Sequence, residues 1–401
     1  MEFGEDEALH QHHKRSKSIK HSQLPSTSVQ DSSILPPELI TDILSRLPVK
    51  FLLQCRCVSK SWLSLICSPE FIKTHLSLAA NNKDYINHRV MLRVSPSECG
   101  LKNYSLRSLL DESVVDSSDM NYPVENHCGR FWTVGSVNGL ICVSGLFLWN
   151  PSIRKYKKLP TEKRFSSSMV TYGFGYDEIH DDYKVVRVRS TCQHHNKHYN
   201  EFEVYSLKSD SWRSIHCLKN ELLFTEVGKF VNGKLHWATC DGHLHEGWSI
   251  SSIDLSCEEW GVVDLPCYGE GNGVFSLGVY GSNLSMVCTD PRTHVDVWVV
   301  DVWVMKEYGI KKSWTKMFTI NYPPYEHRLG YLFSPSFCLS NTGEILVIFG
   351  SVFMIYNPKD DSTRYPKYVD VGDGNFGVEA EIYFESLVCP LLQNELRTRQ
   401  G

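Results

Sequence analysis

Residues 35–76 read LPPELITDILSRLPVKFLLQCRCVSKSWLSLICSPEFIKTHL, and the N-terminal architecture turns on them. Leu35-Pro36-Pro37-Glu38 opens a helix: proline is pre-set for the first turn, and Glu38 complements the positive end of the dipole. Ile40, Ile43, Leu44 and Leu47 follow the i, i+3, i+4, i+7 spacing of one helical stripe. Pro48 ends that helix, because its ring removes an amide donor and biases the preceding residue away from helical angles. Phe51, Leu52, Leu53, Cys55, Cys57 and Val58 predict a second short helix, apolar over most of its circumference. Trp62, Leu65 and Ile66 predict a third, and Ser68-Pro69-Glu70 starts a last short turn towards His75. A unit of about 40 residues without disulfide or metal rarely folds stably alone, so it needs a partner surface. Periodicity by itself favours the plainer reading of a helical hairpin packed on its own domain, since amphipathic helices usually face a core.

The order of the motifs reverses that preference. The Leu35-Pro36 opening, the Ile-Leu-Ser-Arg-Leu-Pro run at 43 to 48, and Cys57-Val58-Ser59-Lys60-Ser61-Trp62 followed by Leu65-Ile66 resemble the F-box in order and spacing. The remainder looks like the plant F-box-associated, kelch-like type, and the resemblance covers roughly 34 to 392. It implies a substrate receptor of a Skp–cullin–F-box ubiquitin ligase, docked through its helices on the Skp adaptor and through that on a cullin. The family's adaptor contacts carry over to Leu35, Pro36, Leu39, Ile43, Leu47, Pro48, Leu52, Leu53, Val58 and Trp62. Pro37 and Phe51 depart from the pattern, where a polar or acidic and a small polar residue are usual, but neither damages the apolar stripe.

Beyond residue 85 the period changes from helical to alternating. His88–Val94 and Tyr104–Leu109 alternate apolar and polar residues, as half-buried strands do, and 111 to 129 reads as a polar loop. A degenerate two-part repeat follows. Its first part is a hairpin turn: Val137-Asn138-Gly139-Leu140, Val231-Asn232-Gly233-Lys234, Gly281-Ser282-Asn283-Leu284 and Asn341-Thr342-Gly343-Glu344. Asn and Gly tolerate the positive φ that two-residue hairpin turns demand. Its second part is a strand, a short polar turn and an aromatic residue, as in Val204…Trp212 and Ser252…Trp260, with looser versions ending at Tyr156, Trp314 and Tyr365. Gly173 to Arg189 forms a further hairpin without the Asn-Gly signature. The units recur about every 42 to 60 residues, the period of four-stranded propeller blades. Five follow residue 130, and the strands at 88 to 109 and 381 to 389 complete a sixth and close the ring. The expected fold is therefore an α+β multidomain chain, a small three-helix F-box followed by an all-β propeller of about six blades. The expected boundaries are a disordered tail over 1–33, the F-box over 34–77, the propeller over 85–391 and a second tail over 392–401. About ten residues link the modules and favour a fixed orientation. The tandem copy Asp296–Val300 and Asp301–Met305 predicts a bulge or loop at Val299 to Asp301, because a five-residue shift reverses a strand's faces.

Composition excludes several classes. The chain has 401 residues, 42% hydrophobic and 12% aromatic, with net charge −5, which argues against a general nucleic-acid surface. No apolar run reaches the roughly 18 residues of a membrane span. The N-terminus lacks the apolar core of a secretory signal, so a cytoplasmic or nuclear location is expected and the 14 cysteines are read as thiols acting as small hydrophobes. Lys14, Arg15, Lys17 and Lys20 are read as a solvated tail rather than a nuclear signal.

Gly173-Phe-Gly175 and Gly269–Gly273 lack the G-K-[ST] ending of a phosphate loop, and no G-x-S-x-G elbow occurs. His194, His195, His198, His243 and His245 have no acidic or cysteine ligand at metal-binding spacing and read as polar loop. No catalytic residue, cofactor or metal is expected. The favoured function is a non-catalytic specificity subunit whose propeller loops hold a target protein for ubiquitination and degradation. The longer insertions at 160 to 169, 190 to 200, 240 to 249, 266 to 274 and 321 to 332 are the candidate recognition loops. The competing readings are a propeller enzyme or metal sensor with a helical cap, and a scaffold without degradative role.

Overall fold

The computed structural model describes residues 35–82, 87–93, 101–111, 117–120, 132–144, 147–160, 169–193, 197–216, 223–224, 227–240, 248–267, 275–289, 298–322, 336–340, 342–349, 352–366 and 379–391. Internal packing divides the chain into Met1–Ile40 and Thr41–Gly401, the cut falling inside the first helix. In the first unit, the Ile40 amide donates to the Pro36 carbonyl at 3.1 Å and so begins that helix. The second unit carries the other helices and all the described strands.

Four helices open the fold: α1 (Pro37–Ser45), α2 (Val49–Cys55), α3 (Lys60–Ile66) and α4 (Pro69–Ala80). The last is a full 12-residue helix where a short turn was expected. Ser68 caps it by accepting from the Phe71 amide, Pro69 sits in its first turn, and Phe71, His75 and Ala79 keep one face buried at helical spacing.

The strands then fall into six blades, named here I to VI from the blade that holds the first strand. Blade I pairs Glu379–Phe384 with His88–Arg93, Leu101–Ser105 and Ser117–Met120. Blade II is Thr133–Val137, Leu140–Val143, Phe147–Asn150 and Lys155–Lys158; blade III is Met169–Asp177, Asp182–Gln193, Lys197–Ser206 and Ser211–Ile215. Blade IV is Lys229–Val231, Lys234–Cys240, Ser249–Asp254 and Trp260–Val263, with Leu223–Phe224 added beside its second strand. Blade V is Phe275–Tyr280, Asn283–Thr289, Trp298–Met305 and Trp314–Tyr322; blade VI is Ser336–Leu339, Ile345–Phe349, Val352–Asn357 and Ser362–Arg364. Neighbours within each blade are antiparallel, and a two-residue parallel pairing of Val279 with Ser336 and Tyr280 with Phe337 joins blades V and VI.

The blade count is fixed by the core. Six apolar clusters exist among the described residues, and each lies between one pair of neighbouring blades. Met91 and Tyr383 of blade I meet Ile141 and Trp149 of blade II; Cys142 and Leu148 of II meet Val185 and Tyr205 of III; Val186 and Val204 of III meet Leu235 and Trp237 of IV. Ala238 and Ile250 of IV meet Leu277 and Met286 of V; Val287 and Val302 of V meet Val347 and Tyr356 of VI; Leu346 and Ile348 of VI return to Val90 and Leu92 of I. Alternate residues of one strand thus serve two different neighbours. That is why the middle strands read as continuous apolar runs such as Leu-Ile-Cys-Val at 140–143 and Ile-Leu-Val-Ile at 345–348. Cys142, Cys288 and Cys338 are buried in these clusters as small hydrophobes, and Cys240 is buried as well.

Turn chemistry agrees with the repeat. Asn138 and Gly139 have φ of 55° and 79°, and Asn232 and Gly233 of 51° and 73°, the paired positive φ of a type I′ hairpin. Gly281 and Gly343 take positive φ in the corresponding turns of blades V and VI. In blade III, Asp181 with φ 52° fills the role without glycine. Tyrosine and aspartate five residues apart brace three turns: the hydroxyls of Tyr205 and Tyr356 donate to Asp210 and Asp361 at 2.8 and 2.9 Å, and that of Tyr176 donates to Asp181.

Two local expectations are corrected. Tyr104–Leu109 is not one strand: the strand stops at Ser105 and Leu106–Asp111 forms a short helix. Leu106, Leu109 and Leu110 sit at i, i+3 and i+4 and bury on Val90 and Leu92, a pattern that six residues of alternating text cannot distinguish from a strand. The tandem copy also carries no bulge at Val299 to Asp301; the strand Trp298–Met305 runs through it without a break. The register shifts instead between Val302 and Trp303, opposite Phe318 and Lys316, so the extra residue is Met317 on the neighbouring strand. Reversing the faces costs little here because both are covered: Val302 packs towards blade VI and Trp303 towards blade IV.

Burial of His236 couples this core to pH. Its ring is wholly buried, in hydrogen-bond contact with the Lys229 carbonyl at 3.1 Å and the Tyr308 hydroxyl at 2.7 Å, and burial pushes its pKa down to about 4. The unfolded chain takes up that proton near pH 6.5, so stability is present above that value and drains away as pH falls towards 4. The loss expected from this one group is about 3 kcal/mol. Urea midpoints between pH 7 and pH 4 check it: His236→Gln should flatten the slope, and an unchanged slope would refute the assignment.

Candidate functional site

The candidate site is the helical head. Its own core is small: Leu44, Val49, Leu52, Ile66, Phe71, His75 and Ala79 are buried. His75 stacks on Phe71, and its Nε2–H donates to the Leu47 carbonyl at 3.0 Å, closing the end of α1 over α4. Burial lowers the His75 pKa, so the ring is neutral at physiological pH. The run Cys57–Trp62 has a local reason: Ser59 is the N-cap of α3 and accepts from the Trp62 amide at 3.1 Å. Pro48, with φ −56° and ψ 148°, performs the same entry for α2 without a side-chain cap.

What remains outside that core is apolar to an unusual degree. Leu35, Leu39, Ile43, Phe51, Val58 and Leu63 are all exposed, Val58 to 64%. Six large apolar side chains in contact with water within 29 residues mark an interaction surface. The ion pair of Asp42 with Arg46 at 2.9 Å on α1 and just beyond it is exposed and contributes little.

The ten residues expected to contact an adaptor divide into three groups. Leu35, Pro36, Leu39, Ile43 and Val58 are exposed. Leu47, Pro48, Leu53 and Trp62 are half-buried, each with part of its surface open. Leu52 is fully buried and is corrected: it belongs to the head's core and supports the outer face from within, because α2 turns it inward beside Val49. Sequence reasoning passed over Phe51 as a departure and did not single out Leu63, yet both are exposed apolar residues on α2 and α3. The signal was available: neither is needed by a core that Leu52 and Ile66 already fill.

Helix α4 is packed on the propeller. Ile72 and Leu76 pack against the apolar cluster of blades II and III, which includes Leu140, Leu148, Leu207 and Val388. Lys73 pairs at 2.8 Å with Asp181, in the turn between the first two strands of blade III. That ion pair and the Tyr176 hydroxyl hold the Asp181 carboxyl below the usual carboxylate range. Strand direction puts the described strand ends that border 160–169, 190–200, 240–249, 266–274 and 321–332 at the other end of the blades from this turn. Those candidate recognition segments lie largely outside the described residues.

No helix of the described residues is long and apolar enough to cross a membrane. Among the described residues no three His, Cys, Asp or Glu side chains gather as a metal site. His194, His195, His243 and His245 lie outside the described residues, as does the side chain of His198.

Comparison with known proteins agrees with this division of the chain. The F-box domain model matches residues 32–74, and the F-box associated beta propeller domain model matches residues 89–384. An F-box/kelch-repeat protein of Arabidopsis thaliana is 31% identical over 371 residues, covering 89% of this chain and 96% of the relative. The F-box protein CPR1 of the same plant is 31% identical over 329 residues, covering 74% of this chain and 76% of its own length. A further Arabidopsis thaliana F-box protein is 32% identical over 342 residues, covering 78% of this chain and 80% of the relative.

Proposed function

This chain belongs to the F-box proteins that carry an F-box-associated β-propeller, and from that premise we propose that it selects targets for a Skp–cullin–F-box ubiquitin ligase. The carrying observation is the exposed apolar set on the helical head, Leu35, Leu39, Ile43 and Val58, standing in F-box motif order. The head docks on the Skp adaptor, and the adaptor links it to a cullin. The blade ends away from the Lys73–Asp181 contact hold the target protein. Catalysis is by effective concentration: a fixed geometry keeps target lysines near a ubiquitin-charged enzyme, so this chain supplies no acid, base or cofactor. Anchoring of α4 on blades II and III supports such a geometry, because a head that swung freely would dilute that concentration.

Changing Leu35 and Pro36 together to alanine is expected to weaken capture by a purified Skp adaptor roughly thirtyfold, about 2 kcal/mol, while the melting of the propeller stays unchanged. Undiminished capture would mean that the docking surface has been misassigned. An Ile43→Asp variant offers an independent check, since it puts a charge on the same helix without touching its proline start.

A further inference from the structure

The propeller's central channel is a large internal space that the adaptor reading leaves without a role. It has a volume of about 540 Å³ and is walled by the first strand of every blade, with Ala80 of α4 also on its lining. Two ionisable side chains of opposite sign line it. Glu381 stands on blade I and Lys229 on blade IV, three places apart in a ring of six, and so on opposite walls. No ion pair joins them among the described residues. The rest of the wall mixes apolar and aromatic side chains, Phe230, Phe384, Ile382 and Val279 among them, with the polar side chains of His88, Ser136, Ser282 and Ser336. Volumes of this size that set convergent polar groups among apolar ones are those of small-molecule sites.

We propose that this channel binds a small zwitterion with an apolar body, an amino acid or dipeptide in class, whose ammonium meets Glu381 and whose carboxylate meets Lys229. The arrangement is suited to a dipole lying across the axis. A lone cation would leave Lys229 facing it, and a lone anion would leave Glu381 facing it, whereas a molecule carrying both charges satisfies each wall and lays its apolar part against the aromatic rings. Burial pushes the Glu381 carboxyl up to about 7, despite the pull of Lys229 and a hydrogen bond from the Ser136 amide on blade II. That carboxyl is therefore short of positive partners in the unliganded protein, the condition an incoming ammonium relieves. The inference is independent of adaptor docking and does not stand or fall with it.

Titration calorimetry on the full chain tests it with four probes: phenylalanine, the dipeptide Gly-Phe, 3-phenylpropionate, which lacks the amine, and 2-phenylethylamine, which lacks the acid. At least one zwitterion should bind saturably, and each half-molecule should bind about tenfold or more weakly by comparison. Glu381→Gln and Lys229→Met should each cost the zwitterion about tenfold, whereas Glu381→Gln should not weaken 3-phenylpropionate. Absence of saturable binding by both zwitterions up to on the order of 10 mM would overturn the proposal, as would half-molecules that bind equally well. Should either variant fail to fold, the comparison of probes on the unaltered protein still decides.

Discussion

Lys184→Ala is expected to lower the stability of the propeller by about 3 kcal/mol, measured as a shift of the urea midpoint at unchanged slope. Lys184 lies at the join of blades III and IV with its side chain 8% exposed. Its ammonium pairs with Asp177 at 2.9 Å and Glu258 at 3.0 Å and donates to the Leu255 carbonyl at 2.6 Å. Burial opposes the ammonium, but these bonds outweigh it and hold the Lys184 pKa above the ordinary lysine range. Burial likewise opposes the Asp177 carboxylate, yet Lys184, His180 and the His180 amide keep its pKa below the ordinary value. Removing the lysine strands two carboxylates in a dry place, which is what makes breaking a buried pair costly. The effect stays at the lower end of the usual range because each carboxylate keeps another partner: Asp177 retains His180 at 2.7 Å, and Glu258 retains Arg213. The sign with pH follows. Asp177, with its folded pKa depressed, contributes stability above its unfolded value, and that contribution is lost as pH falls through the folded value. The Lys184→Ala deficit should therefore shrink on acidification. A second variant, Asp177→Asn with Glu258→Gln and Lys184→Met, should recover most of the loss, since the penalty lies in unpaired charge and not in the missing pair. A single variant with an unchanged midpoint would show that the cluster does not hold the two blades.

How much of this was legible beforehand can be followed residue by residue. The helical head was readable because its prolines, caps and apolar stripe are all local signals: Pro48 and Ser59 act on amides within three residues of themselves. The ring was readable because Asn-Gly turns state their own φ requirement and recur with the blades. Closure by the last strand, Glu379–Phe384 against His88–Arg93, followed from the need to leave no open edge. What resisted reading was whatever depends on the neighbour. Leu52 and Phe51 are adjacent apolar residues on one short helix, yet one is core and the other exposed, and only the packing of the neighbouring helices decides which. The tandem copy misled for the same reason. A strand with one wet face would need a bulge, whereas a blade strand packed on both sides can reverse its faces freely. Lys184, Asp177 and Glu258 are separated by up to 81 residues and carry no pattern that brings them together before the blades do.

Asn150→Ala should be comparably damaging, at about 4 kcal/mol, and should act on ring closure in particular. Asn150 ends the third strand of blade II and is wholly buried. Its amide donates to the Ser386 carbonyl at 3.0 Å, the Ser386 hydroxyl at 3.1 Å and the Val388 carbonyl at 2.8 Å, while its oxygen accepts from the Ser152 amide at 2.9 Å. The Ser386 hydroxyl in turn donates to the Asn138 carbonyl at 2.8 Å, in the first turn of the same blade. One side chain therefore ties the segment after the last strand to the blade next to it, across 236 residues of sequence. Alanine removes the donor and leaves two buried carbonyls that water does not reach, and each such orphan costs about 1–3 kcal/mol. Asn150→Asp should be worse, because it turns a carboxylate towards those same carbonyls. The rest of the closure, the Arg89–Glu385 pair at 3.1 Å and the Glu385 amide donating to the Asn87 carbonyl at 2.8 Å, stays in place but holds only the start of the segment, one residue before Ser386. Hydrogen exchange separates closure from a general loss: the Val388 amide, which donates to the Ser386 hydroxyl, should lose protection well before the middle strands of blades III and IV do. Uniform loss across all six blades would mean that the segment is passive and the ring is held shut by its apolar interfaces alone.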